Sequence, residues 1–149
     1  IIHFRGPSAL FTVHDRTIGF KEVLDQKKVF NFGYDLSFKN PSDTEIENMI
    51  RSNLDCDGIF CDSDLIALHV IQILKKVGLR IPEDVQIIGF DNISFSGFIT
   101  PTLTTIAQPT DKIGRYAVDQ LMELISGKPL KEYHHQIDVS LVERQTTRN

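Results

Sequence analysis

Residues 57–92 read DGIFCDSDLIALHVIQILKKVGLRIPEDVQIIGFDN, and this stretch decides the fold. Gly58-Ile-Phe-Cys61 is an apolar run too short for a helix, and it reads as a buried strand. An amphipathic helix follows, with Ser63 as N-cap and Gly78 as its stop. Pro82 breaks the chain, and Val85–Phe90 forms a second strand. Strand, helix, strand over so short a span is a βαβ unit, so the two strands are parallel and buried on both faces. Each strand ends in polar residues: Asp62-Ser63-Asp64 after the first and Asp91-Asn92 after the second. In an open parallel sheet, ligands bind just beyond the carboxyl ends of the strands, so these residues are the first candidates for a site.

Upstream, Ser42 and Glu45 have the spacing of a capping box, and Ile46, Met49, Ile50 and Leu54 follow on one helical face. Before them, Val29–Phe32 reads as a strand closed by Gly33-Tyr34-Asp35. A helix is predicted from about residue 9 or 10 to Leu24, with Val13, Phe20, Val23 and Leu24 inward. Gly19 inside that helix suggests a close packing contact. The chain opens with a strand, Ile1–Phe4, and a turn, Arg5–Ser8. Downstream, Ile93–Thr100 is irregular and Leu103–Ile106 is β-prone. A helix from Asp111 to Ser126 shows Ile113, Ala117, Leu121 and Leu124 or Ile125 on one face, and Ile137–Glu143 alternates as an edge strand would. This order predicts an α/β fold with a doubly wound, mostly parallel sheet and helices on both faces.

The chain has 149 residues and a net charge of -4, a size suited to one domain. It begins with Ile rather than Met and runs straight into an apolar strand, as expected of a piece whose N-terminal part is missing. It contains no apolar run of membrane length. The mild acidity argues against nucleic-acid binding by this piece alone, because there is no basic stripe to release counterions. Lys27-Lys28 and Lys75-Lys76 read as solvated surface. Cys56 and Cys61 read as free thiols in a reducing compartment, since a lone C-x4-C is too little for a zinc site.

Signatures of catalysis are scarce. GxGxxG, Walker A and G-x-S-x-G are all absent, so no catalytic residues are assigned and the chain is expected not to be an enzyme. The five histidines are scattered, and His134-His135 reads as a solvated pair in a loop. Asp62 and Asp64 supply too few hard ligands for a metal, and helix capping explains them as well, so no metal or cofactor is expected.

The stretch 57–92, followed by Thr100-Pro-Thr-Leu-Thr-Thr-Ile-Ala-Gln108, Ile113-Gly114 and Ser140-Leu-Val-Glu-Arg144, resembles the lactose-repressor/galactose-repressor (LacI/GalR) family of bacterial transcription regulators. Arg16-Thr-Ile-Gly-Phe20, after Gly6-Pro7, is similar to that family's R-x-x-G-F helix. The resemblance covers essentially the whole chain. It implies a periplasmic-binding-protein-like C-terminal subdomain made of residues 1–106 and 128–149. Residues 107–127 would then be a segment of the N-terminal subdomain, and the DNA-binding head would lie outside this chain.

Effector contacts carry over at matching positions. Arg16 matches an arginine that hydrogen-bonds the effector, and Asp91 a carboxylate that accepts from its hydroxyl or amine groups. Phe60 matches an aromatic that stacks on ring effectors, and Gln108 a contact near the crossover between subdomains. Ser63 stands where many members have Asn, which leaves effector identity open. Tyr34 or Asp35 is a further candidate. Each has a structural alternative: a surface ion pair for Arg16, a turn cap for Asp91 and plain core for Phe60.

The helix after Ser63 resembles the family's dimer-forming helix, with Leu65, Leu68, Ile71 and Gln72 as interface candidates. Its apolar residues run nearly all round, so a second subunit would cover the side that the sheet leaves open.

The resemblance implies the effector-sensing and dimerisation part of a cytoplasmic repressor. Its partners would be a small molecule, most simply a sugar, operator DNA through the head, and a second copy, with no membrane. A periplasmic sugar-binding protein of a transport system is the alternative. With its own subdomain missing, the helix from Asp111 to Ser126 is expected to find other cover for its apolar face, on its own sheet, through a swapped chain or against a neighbour.

Overall fold

The computed structural model describes residues 1–36, 42–129 and 134–148. The elements run β1 (Ile2–Arg5), α1 (Phe11–Lys27), β2 (Phe32–Asp35), α2 (Asp43–Arg51), β3 (Gly58–Cys61), α3 (Asp64–Lys76), β4 (Gln86–Asp91), a short 3-10 helix (Ser94–Gly97), β5 (Thr104–Ala107), α4 (Thr110–Ile125) and β6 (Ser140–Val142). They build one sheet in the order β2-β1-β3-β4-β5-β6. The first five strands pair in parallel, and β6 pairs antiparallel with β5. The fold is the mostly parallel α/β architecture expected. The strand order reverses between β1 and β3, and such a reversal opens a crevice at the carboxyl ends of the strands.

Local chemistry sets the helix starts. The Ser42 hydroxyl accepts from the Glu45 amide, and the Glu45 carboxylate accepts from the Ser42 amide, so the capping box forms. The Ser63 hydroxyl accepts from the Ile66 amide and caps α3. The core lies on one face of the sheet, where Ile2, Phe4, Ile59, Cys61 and Ile87 meet Ile46 and Ile50 of α2 and Ala67, Val70, Ile71 and Leu74 of α3. On the other face His3 and Phe60 lie under α1, with the Phe20 ring centroid 4.5 Å from His3 and 5.8 Å from Phe60.

Several expectations need correction. The second strand is not Val29–Phe32 but Phe32–Asp35. Helix α1 runs on to Lys27, Lys28 closes it in the left-handed conformation, and the Val29 amide donates to the Leu24 carbonyl, so helix termination uses the residues assigned to the strand. Val23 is 51% exposed rather than inward, and Leu54 is exposed beyond the end of α2. Gly19 marks no close contact, because a Cβ there would meet nothing within 4 Å. The terminal strand is only Ser140–Val142.

The largest departure is α4. No residue in it is buried: Ile113 is 41%, Leu121 53% and Ile125 70% exposed. Of the three kinds of cover expected for this helix, refolding onto its own sheet does not occur.

Candidate functional site

The carboxyl ends of β3, β4 and β5 and the middle of α1 bring four candidate residues to one rim. The Arg16 guanidinium reaches across from α1 and donates through Nη1 to the Asp62 carbonyl at 2.7 Å. Its Cζ sits 3.8 Å from the centroid of the Phe90 ring, a cation–π contact. Asp91 closes β4 beside it, and the Gln108 side-chain amide, one residue past β5, donates to Asp91 Oδ1 at 2.8 Å. Ser63 follows Asp62 at the end of β3, its hydroxyl committed to capping α3.

Partial burial pushes the Asp91 carboxyl above its ordinary range. The Gln108 hydrogen bond and the Arg16 charge pull it back, and Asp64 adds to the rise. Asp91 and Asn92 both have positive φ, 113° and 52°. Such backbone is uncommon outside glycine, and it tends to be kept where a side chain must be aimed.

Beside Arg16, a cavity of about 390 Å³ opens between the amino ends of α1 and α3 at the sheet's switch point. Thr12, Arg16, Asp62, Ser63 and His69 supply its polar lining, and Leu10, Leu36 and Ile66 are among its apolar walls. Asp91 and Gln108 do not line it; Arg16 joins the cavity to the carboxylate–amide pair. A ligand carrying hydroxyl or amine groups would meet a fixed guanidinium, a carboxylate and a primary amide within one short rim.

Two candidates sit elsewhere. The Tyr34 hydroxyl accepts from Asn53 Nδ2 at 2.9 Å, and its ring stacks on Phe4, on the sheet face away from Arg16. Phe60 is half-buried beneath α1, its ring centroid 4.9 Å from that of His3, one position upstream of the strand end. Among the α3 residues, Leu65 is 69% exposed and Gln72 exposed, Leu68 is half-buried, and Ile71 is turned into the core.

Two buried carboxylates carry more than the sequence suggested. Asp62 pairs with His3, Oδ1 to Nε2 at 2.7 Å, and its Oδ2 accepts from the Gly6 amide at 2.9 Å, tying the ends of β1 and β3 together. Asp64 accepts from the Ile93 amide, the Ser96 hydroxyl and the Thr105 hydroxyl. The spacing of Asp62 and Asp64 advertised caps or metal ligands; their real partners are 56–59 and 29–41 residues away in sequence. Among the described residues, no group of three or more His, Cys, Asp or Glu is placed to hold a metal ion. No helix there is long and apolar enough to cross a membrane.

Comparison with known proteins bears on the fold and the family. A family model described as periplasmic binding protein-like domain matches residues 1–147. The chain belongs to the periplasmic binding protein-like domain family, and proteins described as operon repressors and LacI transcriptional regulators are among its relatives. It is 35% identical to a ribose operon repressor of Halalkalibacterium halodurans over 99% of this chain and 45% of that protein. A periplasmic binding protein/LacI transcriptional regulator from Alkaliphilus metalliredigens, solved with D-xylulofuranose, superposes with a TM-score of 0.85 at 30% identity, over 99% of this chain and 56% of that one. The lac repressor dimer bound to operator and the anti-inducer ONPF gives a TM-score of 0.85 at 25% identity, over 98% of this chain and 52% of that one. The chain spans about half the length of the relatives it matches.

Proposed function

We propose that this chain is the effector-sensing part of a LacI-type transcriptional repressor, with residues 1–106 and 128–149 forming the C-terminal subdomain and 107–127 belonging to the N-terminal one. The observation that carries the reading is the convergence of Arg16, Asp91 and Gln108 on one rim of the sheet. These groups suit a polyhydroxylated ligand: the guanidinium and amide donate to its oxygens, and the carboxylate accepts from its hydroxyls. The exposed apolar face of α4 supports the division into subdomains, although the sheet keeps Ala107, one residue past the expected boundary.

The chain does no chemistry of its own and uses no cofactor. A sugar or similar small molecule closes the cleft between subdomains. It binds one arrangement of them better than the other, and so shifts the DNA affinity of a head that lies elsewhere in the protein. The protein works in the cytoplasm as a homodimer, free of the membrane. Leu65, Leu68 and Gln72 on the open side of α3 supply the surface for the second copy, and the exposed Phe95 shares a groove with Leu68 and Gln72. Ile71 supports that face from within.

The test is a thermal-shift and calorimetric screen of the full-length protein against pentoses, hexoses and nucleosides. A true effector at about a hundred times its dissociation constant stabilises by about 2.7 kcal/mol. Its effect disappears in Arg16→Ala, and operator affinity changes when it is added. Stabilisation that survives Arg16→Ala, or that leaves operator affinity unchanged, refutes the proposal.

A further inference from the structure

We infer that Asp64, which touches no ligand group itself, is the positioning residue for Asp91, acting through the Thr105 hydroxyl. The inference rests on reading Asp91 as a ligand contact. Asp64 is fully buried in the first turn of α3, and its two oxygens face different neighbours. Oδ1 accepts from the Thr105 hydroxyl at 2.5 Å. Oδ2 accepts from the Ile93 amide at 2.9 Å and from the Ser96 hydroxyl at 2.8 Å.

The Oδ1 branch leads to the rim. A threonine hydroxyl has one proton and two lone pairs. Giving the proton to Asp64 turns a lone pair of Thr105 Oγ1 toward the Asn92 amide, which donates to it at 3.3 Å. The direction of this chain is set at Asp64, where only donors converge. Its far end holds the second of two consecutive positive-φ residues, and the first of these is Asp91. Two such residues in a row persist only where their surroundings over-determine them. Here Arg144 Nη2 also donates to Asn92 Oδ1 at 2.7 Å, and Gln108 holds the Asp91 carboxylate. Gly89 belongs to the same device, because any Cβ there would stand 2.3 Å from Asp64 Oδ1.

The two oxygens provide an internal control. Thr105→Val keeps the shape of the buried residue and removes only the Oδ1 branch, Thr105→Ser restores the hydroxyl, and Ser96→Ala spares Oδ1 while removing a hydrogen bond on Oδ2 and the same hydroxyl's contact with the Ile93 carbonyl. In the ligand-free full-length protein, amide hydrogen exchange at Asn92, measured relative to the Ile87 amide in the same sheet, quickens at least tenfold in Thr105→Val. It returns to within about threefold of wild type in Thr105→Ser and in Ser96→Ala. In calorimetry with D-ribose as probe, Thr105→Val raises the dissociation constant at least tenfold, and Ser96→Ala raises it less than threefold.

Unchanged exchange at Asn92 in Thr105→Val overturns the inference, as do equal losses of D-ribose affinity in Thr105→Val and Ser96→Ala. If wild type does not bind D-ribose, the reading of the ligand fails for that sugar, and Asn92 exchange in Asp64→Asn, which keeps the Thr105 hydroxyl, still decides the role of Asp64. If Thr105→Val does not fold, Asp64→Asn takes its place. The new amide donor must then face a hydroxyl or an N–H, and the same loosening at Asn92 is expected. An Asn92 amide as slow as wild type in Asp64→Asn overturns the inference equally.

Discussion

Helices α3 and α4 are both amphipathic and similar in length, 13 and 16 residues, yet their fates differ. α3 buries Asp64, Ala67, Val70, Ile71, Ile73 and Leu74, whereas α4 buries nothing. Propensity does not separate them. What differs is that α3 is held between β3 and β4 by a crossover that lays it on the sheet, while α4 leaves from the end of β5 and the chain returns only at β6. An apolar stripe shows that a helix has a face to bury, and topology decides whether this chain can cover it.

The sharpest test of this contrast is a pair of truncations. Leu74→Ala removes a fully buried side chain and should cost about 3 kcal/mol in urea unfolding, while Leu121→Ala should cost less than about 0.5 kcal/mol in this chain. In a full-length protein whose N-terminal subdomain covers α4, the cost at Leu121 should rise toward that of Leu74; equal small costs in both settings would leave α4 without a partner.

A pair of glycines gives the next effect. A Cβ at Gly89 would lie 2.3 Å from Asp64 Oδ1 and 3.0 Å from Leu103 Cδ2, so Gly89→Ala should destabilise by about 3 kcal/mol. At Gly114, within α4, a Cβ meets nothing within 4 Å, so Gly114→Ala should stabilise this chain by about 0.5–1 kcal/mol through helix propensity. Thermal melts of both variants read the two signs directly.

Between the two helices lies Asp91, with its carboxyl raised chiefly by burial. A raised carboxyl means that ionising it costs the folded state something at neutral pH, a cost relieved as the pH falls through the folded value. Asp91→Asn should therefore leave stability at pH 7 unchanged or slightly higher while weakening the binding of a hydroxyl-bearing ligand. In wild type, affinity for such a ligand should fall as the pH drops through the raised value, and a calorimetric pH series checks it.

The smallest effect belongs to the turn after α3. Asp84 is lowered to about 2 by its hydrogen bonds from the Arg80 side chain and backbone. A lowered carboxylate contributes stability above its ordinary range and loses it as the pH falls to about 2. The pair is exposed, so Asp84→Asn should shift the urea midpoint only slightly, and only above that window.

The sequence was most legible where local chemistry and tertiary contacts agree. Ser42 with Glu45, Ser63 as a cap, the strand Gly58–Cys61 and the helix behind it all stand where their spacing put them. Asp91 could be picked out because the ends of parallel strands share an edge, whereas Arg16, on α1, and Gln108 were singled out through the family resemblance. Where local signals compete, the reading slipped. Val29 and Phe30 look like strand, but the left-handed cap at Lys28 folds Val29 back onto Leu24, and pairing starts only where Phe32 meets Ile2. Tyr34 lies on the face of Phe4, a matter of one-residue parity along β2 that the sequence leaves unset. The roles of Asp62 and Asp64 were hidden because partners such as His3 and Thr105 are far away along the chain.

The register of β5 and β6 has a practical consequence for design. Ala107 stands opposite Ser140 in an antiparallel ladder, so the whole excursion carrying α4 leaves and rejoins the sheet at facing residues. Two facing ends can be bridged by a tight Asn-Gly connection. The excursion is thus a detachable cassette: replacing residues 109–139 with Asn-Gly would keep Gln108 as the first residue of a three-residue loop and yield a short hairpin on an otherwise intact sheet.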